Sequence, residues 1–442
     1  MKIIKDAVLD VFTEVFEMFD IFKKFNFWDG TVTGCGIERP DYISMLNSML
    51  EPKNIITITG GRRTGKSVVV RQFIRYLINE KKIDPAKIFY ANLFIQDIDF
   101  MRKSSTFKKI LNEWKKKFDH APGERLFIVI DEVQEIADWE KTIVSLYEDY
   151  TADHKIIITG SNANLLSGEL HTYLAGRSFE LTLYPLSFIE YCSFLNKTPD
   201  RAACIEYLNT GGMPEVVKVE DVFARQNLVS ATVDSIIVRD IATRHQIRNI
   251  PLLKKMADYF CFSPADEVSR TRISNILKDS GENASINTVS EYMEYLKDAF
   301  FIHECPVMSY KKGDILKSVP LKIYLNDNSF AKTADEQSDF GKLLENIIFI
   351  ELKRRGFKVK TLKTPGGEID FIARKGNKLH YYQVAYLVGE KGSTVYNREF
   401  GNLIKIKDHY PKTVLSMDEL LHQPVEGINH ESVVEFLKNP IL

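Results

Sequence analysis

The chain has 442 residues, 44% of them apolar and 27% charged, ordinary values for globular protein and enough for several domains. Its 59 Lys and Arg against 60 Asp and Glu give a net charge of -1, which excludes a uniformly basic nucleic-acid-coating protein but not a local basic face. The five cysteines (Cys35, Cys192, Cys204, Cys261, Cys305) form no C-x-x-C pair and the histidines no H-E-x-x-H, so neither a disulfide framework nor a zinc site is expected.

The apolar N-terminus carries Asp6, Asp10 and Glu14 where a signal peptide needs an uncharged stretch. No apolar run approaches the roughly 20 residues that span a bilayer. A cytoplasmic protein with no membrane contact is expected. Within residues 3–25, Ile4, Val8, Val11, Val15, Phe19 and Phe22 recur at helical spacing. The helix either packs on its own domain or offers its phenylalanines to a partner. Glycines between Trp28 and Gly36 mark a connector, so residues 1–36 form a first segment.

Over residues 37–195 short apolar runs alternate with amphipathic helices. Strands are predicted at Ile55–Thr59, Ile88–Asn92, Leu126–Ile130, Lys155–Thr159 and Phe179–Leu183, with helices such as Ser67–Asn79 and Phe107–Phe118 between them. Brief Ile- and Val-rich runs bounded by turn residues suit buried parallel strands, so the fold class is α/β with a doubly wound parallel sheet.

The first strand runs into Gly60-Gly61-Arg62-Arg63-Thr64-Gly65-Lys66-Ser67, a G-x-x-x-x-G-K-[ST] phosphate loop placed between a strand and a helix. Glycines let backbone N–H groups curl around phosphate oxygens, and the helix N-terminus adds its positive dipole end. Lys66 supplies a charge for the β- and γ-phosphates of ATP, and Ser67 a hydroxyl for Mg²⁺. The strand Leu126–Ile130 ends in Asp131 and Glu132. Asp131 is the expected Mg²⁺ partner and Glu132 the base that polarises the attacking water. After the next strand come Gly160, Ser161 and Asn162. Asn162, with both donor and acceptor, is favoured over Ser161 as the residue that senses the γ-phosphate or orients water; otherwise the segment is a turn.

These motifs, with the run Ala175-Gly176-Arg177-Ser178-Phe179-Glu180-Leu181 and the later Gly211-Gly212-Met213-Pro214-Glu215, resemble the AAA-type P-loop ATPases that carry a C-terminal DUF4143 domain. The resemblance runs from about residue 37 to 415. It implies a homo-oligomer in which a neighbour's arginine meets the transferred phosphoryl group. Arg177 is the first candidate, Arg239 and Arg244 the alternatives, unless these are merely structural.

Residues 196–325 read as mostly helical, with helices at Leu252–Phe262, Ser269–Ser280 and Ser285–Phe300 and then a β-hairpin ending in Leu321–Leu325. Ser285 or Asn287 is the cap candidate of the third helix, with Glu291 at capping-box distance from Thr288. The arrangement resembles a winged helix, whose third helix can enter a DNA groove. Here Glu291, Glu294 and Asp298 make that helix a poor DNA reader, whereas Lys311, Lys312 and Lys317 suit the wing. Two basic runs, Arg102–Lys117 and Lys353–Lys363, permit DNA binding if they are not simply solvated faces.

Residues 326–442 resemble the PD-(D/E)xK nuclease fold, with Glu345 on a helix and Glu368 and Asp370 on a strand. The strand that should supply (Asp/Glu)-x-Lys reads Gln383-Val384-Ala385, which implies a retained fold with lost cleavage chemistry. The whole reads as an oligomeric, Mg²⁺-dependent ATPase that moves its domains, plausibly on DNA. A nucleotide-gated interaction switch is the rival, and an active ATP-dependent nuclease the remotest reading.

Overall fold

The computed structural model describes residues 15–149, 151–163, 176–309, 320–332, 340–364 and 367–439. Ala175 and the expected wing residues Lys311, Lys312 and Lys317 lie outside them. Where three domains and an N-terminal segment were expected, the chain forms two compact units. One comprises Met1–Gly60 and Gly65–Leu183, the other Gly61–Thr64 and Tyr184–Leu442.

The first unit is built on five strands, β1 (Ile55–Thr59), β2 (Ile88–Asn92), β3 (Arg125–Asp131), β4 (Asp153–Gly160) and β5 (Ser178–Thr182). Their order is β2-β3-β4-β1-β5 and every neighbouring pair is parallel. Alternate residues serve opposite faces. Ile55, Ile128, Ile130, Ile156 and Ile158 pack with the helices Ser104–Lys117 and Trp139–Tyr147. Ile56, Ile58, Val129, Ile157 and Leu181 pack with Pro40–Ser48 and Lys66–Asn79. Both faces are covered, which is why these strands read as continuous apolar runs.

Residues 15–22 are helical and belong to this core. Phe19 and Phe22 are buried, the latter with its ring 4.7 Å from that of Phe89. The expected connector closes the free edge of the sheet: Asn26 Oδ1 accepts the Tyr90 N–H at 2.8 Å, and Trp28 Nε1 donates to the Ile88 carbonyl at 2.8 Å. An edge strand capped in this way offers fewer unpaired groups to another chain.

The second unit centres on an eight-stranded sheet: β6 (Glu267–Val268), β7 (Ile302–Ser309), β8 (Leu321–Leu325), β9 (Lys358–Thr364), β10 (Gly367–Lys375), β11 (Lys378–Ala385), β12 (Lys412–Ser416) and β13 (Ile428–Ser432). The order is β13-β12-β11-β10-β9-β7-β8-β6. β7 and β8 form the expected antiparallel pair, but β7 continues alongside β9 in parallel. The hairpin is therefore an interior part of a larger sheet, which runs through the boundary expected at residue 325.

The three helices before the hairpin are Ile250–Phe262, Arg270–Asp279 and Ile286–Asp298. Ser285 caps the last, accepting the Thr288 N–H at 3.1 Å. Glu291 forms no capping box and instead accepts from the Tyr295 hydroxyl at 2.6 Å. A full capping box occurs elsewhere, between Ser187 and Glu190.

The Gly211-Gly212 landmark has a steric cause. A Cβ on Gly211, where φ is 76°, would meet Asp327 Oδ1 at 2.1 Å, and one on Gly212 would meet the Leu186 carbonyl at 2.4 Å. All five cysteines are buried, unpaired thiols. Among the described residues no helix is long and apolar enough to cross a membrane.

Candidate nucleotide site

The expected site residues of the first unit gather at the carboxyl ends of β1, β3 and β4. Because β4 lies between β1 and β3, Asn162 follows the strand that separates the glycine loop from the acidic pair. Asn162 and Ser161 are both buried.

Gly60 and Gly65 have φ of 152° and 99°, conformations that side-chain-bearing residues rarely adopt. The helix begins at Lys66, whose buried amine donates to the Gly60 carbonyl at 3.0 Å and lies 3.6 Å from Glu132 Oε1. The loop tip Gly61–Thr64 groups with the second unit. There Arg62 pairs with Asp240 at 2.6 Å, and Arg63 with Glu215 at 2.8 Å. A Cβ on Gly61 would come within 2.9 Å of Asn326 Nδ2.

Asp131 is buried at the end of β3. It accepts the Thr159 hydroxyl at 2.6 Å and the Tyr90 hydroxyl at 3.3 Å, and the Ser67 side chain favours its charged form. Burial and the adjacent Glu132 charge raise its carboxyl above the ordinary range, against the pull of Ser67, Thr159 and Lys66. Burial and the Asp131 charge push the Tyr90 hydroxyl up as well, so Tyr90 remains a donor.

Directly after Asp131 the backbone turns left-handed at Glu132 (φ 63°, ψ 58°), a strained conformation of the kind that clusters at functional sites. Its N–H donates to Thr159 Oγ1 at 2.9 Å, and Gln134 Nε2 donates to its carboxylate at 2.5 Å. Ser67 and Asp131 thus present hard oxygen donors side by side, a set chemically suited to Mg²⁺.

Sequence reasoning missed Thr159, Tyr90 and Gln134, since strand adjacency is not written in a single sequence. It also missed Arg39, which is buried, stacks 4.5 Å over Tyr42 and comes within 4.0 Å of the Cβ position of Gly65.

Arg177 is not brought to this cluster. It precedes β5 at the opposite, amino-terminal end of the strands, where its carbonyl accepts the Ile55 N–H and its guanidinium pairs with Glu148 at 2.6 Å. Five residues of β1 separate that end from the loop, about 16 Å. Arg239, in the π-helical turn Ile236–Thr243, and Arg244 after it are exposed.

The first half of the basic run Lys353–Lys363 is engaged within the fold, and the lysines of its second half are exposed. Arg354 is buried against Glu351 at 3.0 Å and donates to the Pro185 carbonyl at 2.7 Å. Arg355 pairs with Glu351 at 2.8 Å and covers the Phe436 ring at 4.1 Å. Lys358 and Lys360 remain exposed. In the other run Arg102 pairs with Asp99 and Lys116 with Glu113, while Lys103, Lys108, Lys109 and Lys117 face solvent.

In the C-terminal sheet Glu345, Glu368 and Asp370 do come together, and Gln383 Oε1 accepts the Asp370 N–H at 3.4 Å. Among the described residues no group of His, Cys, Asp and Glu has the arrangement of a metal site. Lys322, from β8, lies among these three carboxylates.

A family profile described as "AAA domain" matches residues 52–192, which contain the whole loop, the acidic pair and Asn162. An uncharacterised protein of Haemophilus influenzae is 32% identical over 91% of this chain and 98% of its own length. The chain belongs to its family. An uncharacterised protein of Methanocaldococcus jannaschii is 30% identical over 77% of this chain and 76% of its own. Downstream of the AAA domain the matching profile is a domain of unknown function, DUF8612, over residues 201–340, where DUF4143 had been expected at the C-terminus. Among solved structures, the Walker-type ATPase PABY2304 of Pyrococcus abyssi aligns at 14% identity with a TM-score of 0.42, covering 66% of this chain and 94% of that one. The Aeropyrum pernix Orc1 protein in complex with DNA aligns at 12% identity with a TM-score of 0.30, covering 66% and 92%. Both likenesses are remote.

Proposed function

We propose that the AAA domain binds ATP with Mg²⁺ and hydrolyses it, and that the chain does so as a homo-oligomer whose domains move on DNA. The observation that carries this reading is the double role of Thr159: one hydroxyl orients both Asp131 and Glu132, beside Lys66. The backbone of Gly60–Ser67 and the Lys66 ammonium would hold the β- and γ-phosphates. Ser67 and Asp131 would hold the Mg²⁺, which supplies charge neutralisation between phosphate oxygens. Glu132, fixed by Gln134 and by its own backbone turn, would draw the proton from the attacking water. Asn162 would position that water or the γ-phosphate.

For the oligomer, Arg177, Arg239 and Arg244 are all exposed, but Arg177 already pairs with Glu148, so Arg239 becomes the first choice of trans-acting arginine, with Arg244 next. Nucleic-acid contact is supported by the exposed Lys103, Lys108, Lys109 and Lys117, and by Lys358 and Lys360 rather than by the engaged Arg354 and Arg355. The deciding experiment measures ATP turnover with and without single-stranded, duplex and branched DNA, alongside assembly mass. Turnover stimulated by DNA in an assembly supports the proposal. ATP bound without turnover would instead leave a nucleotide-gated interaction switch.

A further inference from the structure

Lys322, the second residue of β8, points its ammonium into the acidic cluster of the C-terminal sheet. Its Nζ lies 2.8 Å from Glu345 Oε1, 2.5 Å from Glu368 Oε1 and 3.8 Å from Asp370 Oδ1. The carboxylates come from the helix Phe340–Arg354 and from β10, elements far from β8 in sequence but packed on one sheet. Lys322 and Asp370 are buried. The Tyr324 hydroxyl donates to Glu345 Oε1 at 2.6 Å, and the Val384 N–H to Asp370 Oδ2 at 2.9 Å.

Three carboxylates this close repel one another strongly in a poorly solvated interior, so the cluster persists only around a positive charge. Burial by itself pulls the Lys322 ammonium down, but Glu345, Asp370 and Glu368 outweigh it and hold the group above its ordinary range. Burial pushes the Glu345 and Asp370 carboxyls up, and Lys322 pulls both back.

We propose that Lys322 is a built-in substitute for a divalent cation: it supplies the positive charge shared by Glu345, Glu368 and Asp370 and keeps metal out of a site that would otherwise hold one. A hard divalent ion needs about 2.0–2.6 Å to these oxygens. The ammonium already occupies that space, and being tethered it cannot be diluted away. The neutral Gln383 amide adds no charge that would favour a metal over it. This assignment stands apart from the ATP reading and survives its failure.

The test counts Mn²⁺ bound to the full-length, nucleotide-free chain by the electron paramagnetic resonance of free Mn²⁺. Wild type and Glu345→Gln should bind equal numbers. Lys322→Met, which keeps the aliphatic stem, should bind one more Mn²⁺ per chain than wild type, and the double variant Lys322→Met/Asp370→Asn should lose it. Mn²⁺ should also raise the melting temperature of Lys322→Met but not of the double variant. A wild-type protein that loses one Mn²⁺ on Glu345→Gln overturns the proposal, and this arm holds even when Lys322→Met does not fold. Folded Lys322→Met without an extra Mn²⁺ overturns it too, as does Mn²⁺-dependent nicking of DNA by wild type that Asp370→Asn abolishes.

Discussion

The Thr159 hydroxyl donates to Asp131 Oδ1 at 2.6 Å, joining the ends of two adjacent strands at the point where the acidic pair begins. The same oxygen accepts the Glu132 N–H. Thr159→Val keeps the shape and removes both bonds, leaving a buried donor unsatisfied at a cost of about 1–3 kcal/mol. ATP turnover should fall at least tenfold while nucleotide binding persists, and Thr159→Ser should restore most of it. Paired turnover and nucleotide-titration measurements check this.

Lys66→Ala should abolish turnover and weaken nucleotide binding, because it removes the charge aimed at the phosphates. Glu132→Gln should bind ATP normally and turn over about 10²–10⁴-fold more slowly, the usual contribution of a general base. Wild-type turnover in Glu132→Gln would remove Glu132 from the chemistry.

Arg177 is held by Glu148, so Arg177→Ala should change turnover little. Arg239→Ala should reduce it by roughly 10³-fold if that arginine completes a neighbour's site. Mixing Arg239→Ala with Lys66→Ala chains would then restore partial activity, since some interfaces regain both groups. No recovery on mixing speaks against a trans role.

His303 gives the second unit a pH-dependent stability. Burial holds its imidazole down at about 4, against the hydrogen bond that its Nε2–H donates to Asn326 Oδ1, which favours the charged form. The neutral ring is thus favoured in the folded state and the unfolded chain, near 6.5, binds the proton more readily. The contribution is complete above pH 6.5 and is lost as pH falls toward 4, by roughly 3 kcal/mol in total. Urea unfolding across this window should show the slope, and His303→Phe should lessen it.

Arg354→Ala should destabilise the second unit by about 1–3 kcal/mol, because it removes the buried donor to Glu351 Oε2 and to the Pro185 carbonyl, while Arg355 still pairs with Glu351. Lys358→Glu and Lys360→Glu, on exposed positions, should each cost less than about 0.5 kcal/mol. Denaturant midpoints of the three variants decide the matter.

The parallel sheet was legible because β1 to β4 are buried on both faces and so spell apolar runs; β1 and β2 begin and end where the sequence predicts. β12 and β13 escaped notice for the opposite reason. Lys412–Ser416 and Ile428–Ser432 carry few apolar residues, and they are held by parallel pairing to β11 and to each other. The loop, Asp131 and Glu132 were readable as contiguous motifs. Thr159 and Lys322 were not, because their roles depend on which strands lie side by side. Alternation along Leu321–Leu325 marks Lys322 as a solvent-facing position, and only the carboxylates of a distant helix and strand make it an inward one.

The loop tip that shares a compact unit with Asn326 imposes an order on biosynthesis. Gly61 leaves the ribosome 265 residues before Asn326, the side chain that leaves no room for a Cβ on it. At about 5–20 residues per second, the tip waits roughly 13–53 s for that partner. During that interval the first unit can assemble its sheet, since β1 to β5 are complete by residue 182. The nascent chain can therefore hold a finished sheet while the Gly61–Thr64 tip still lacks the residues with which it groups.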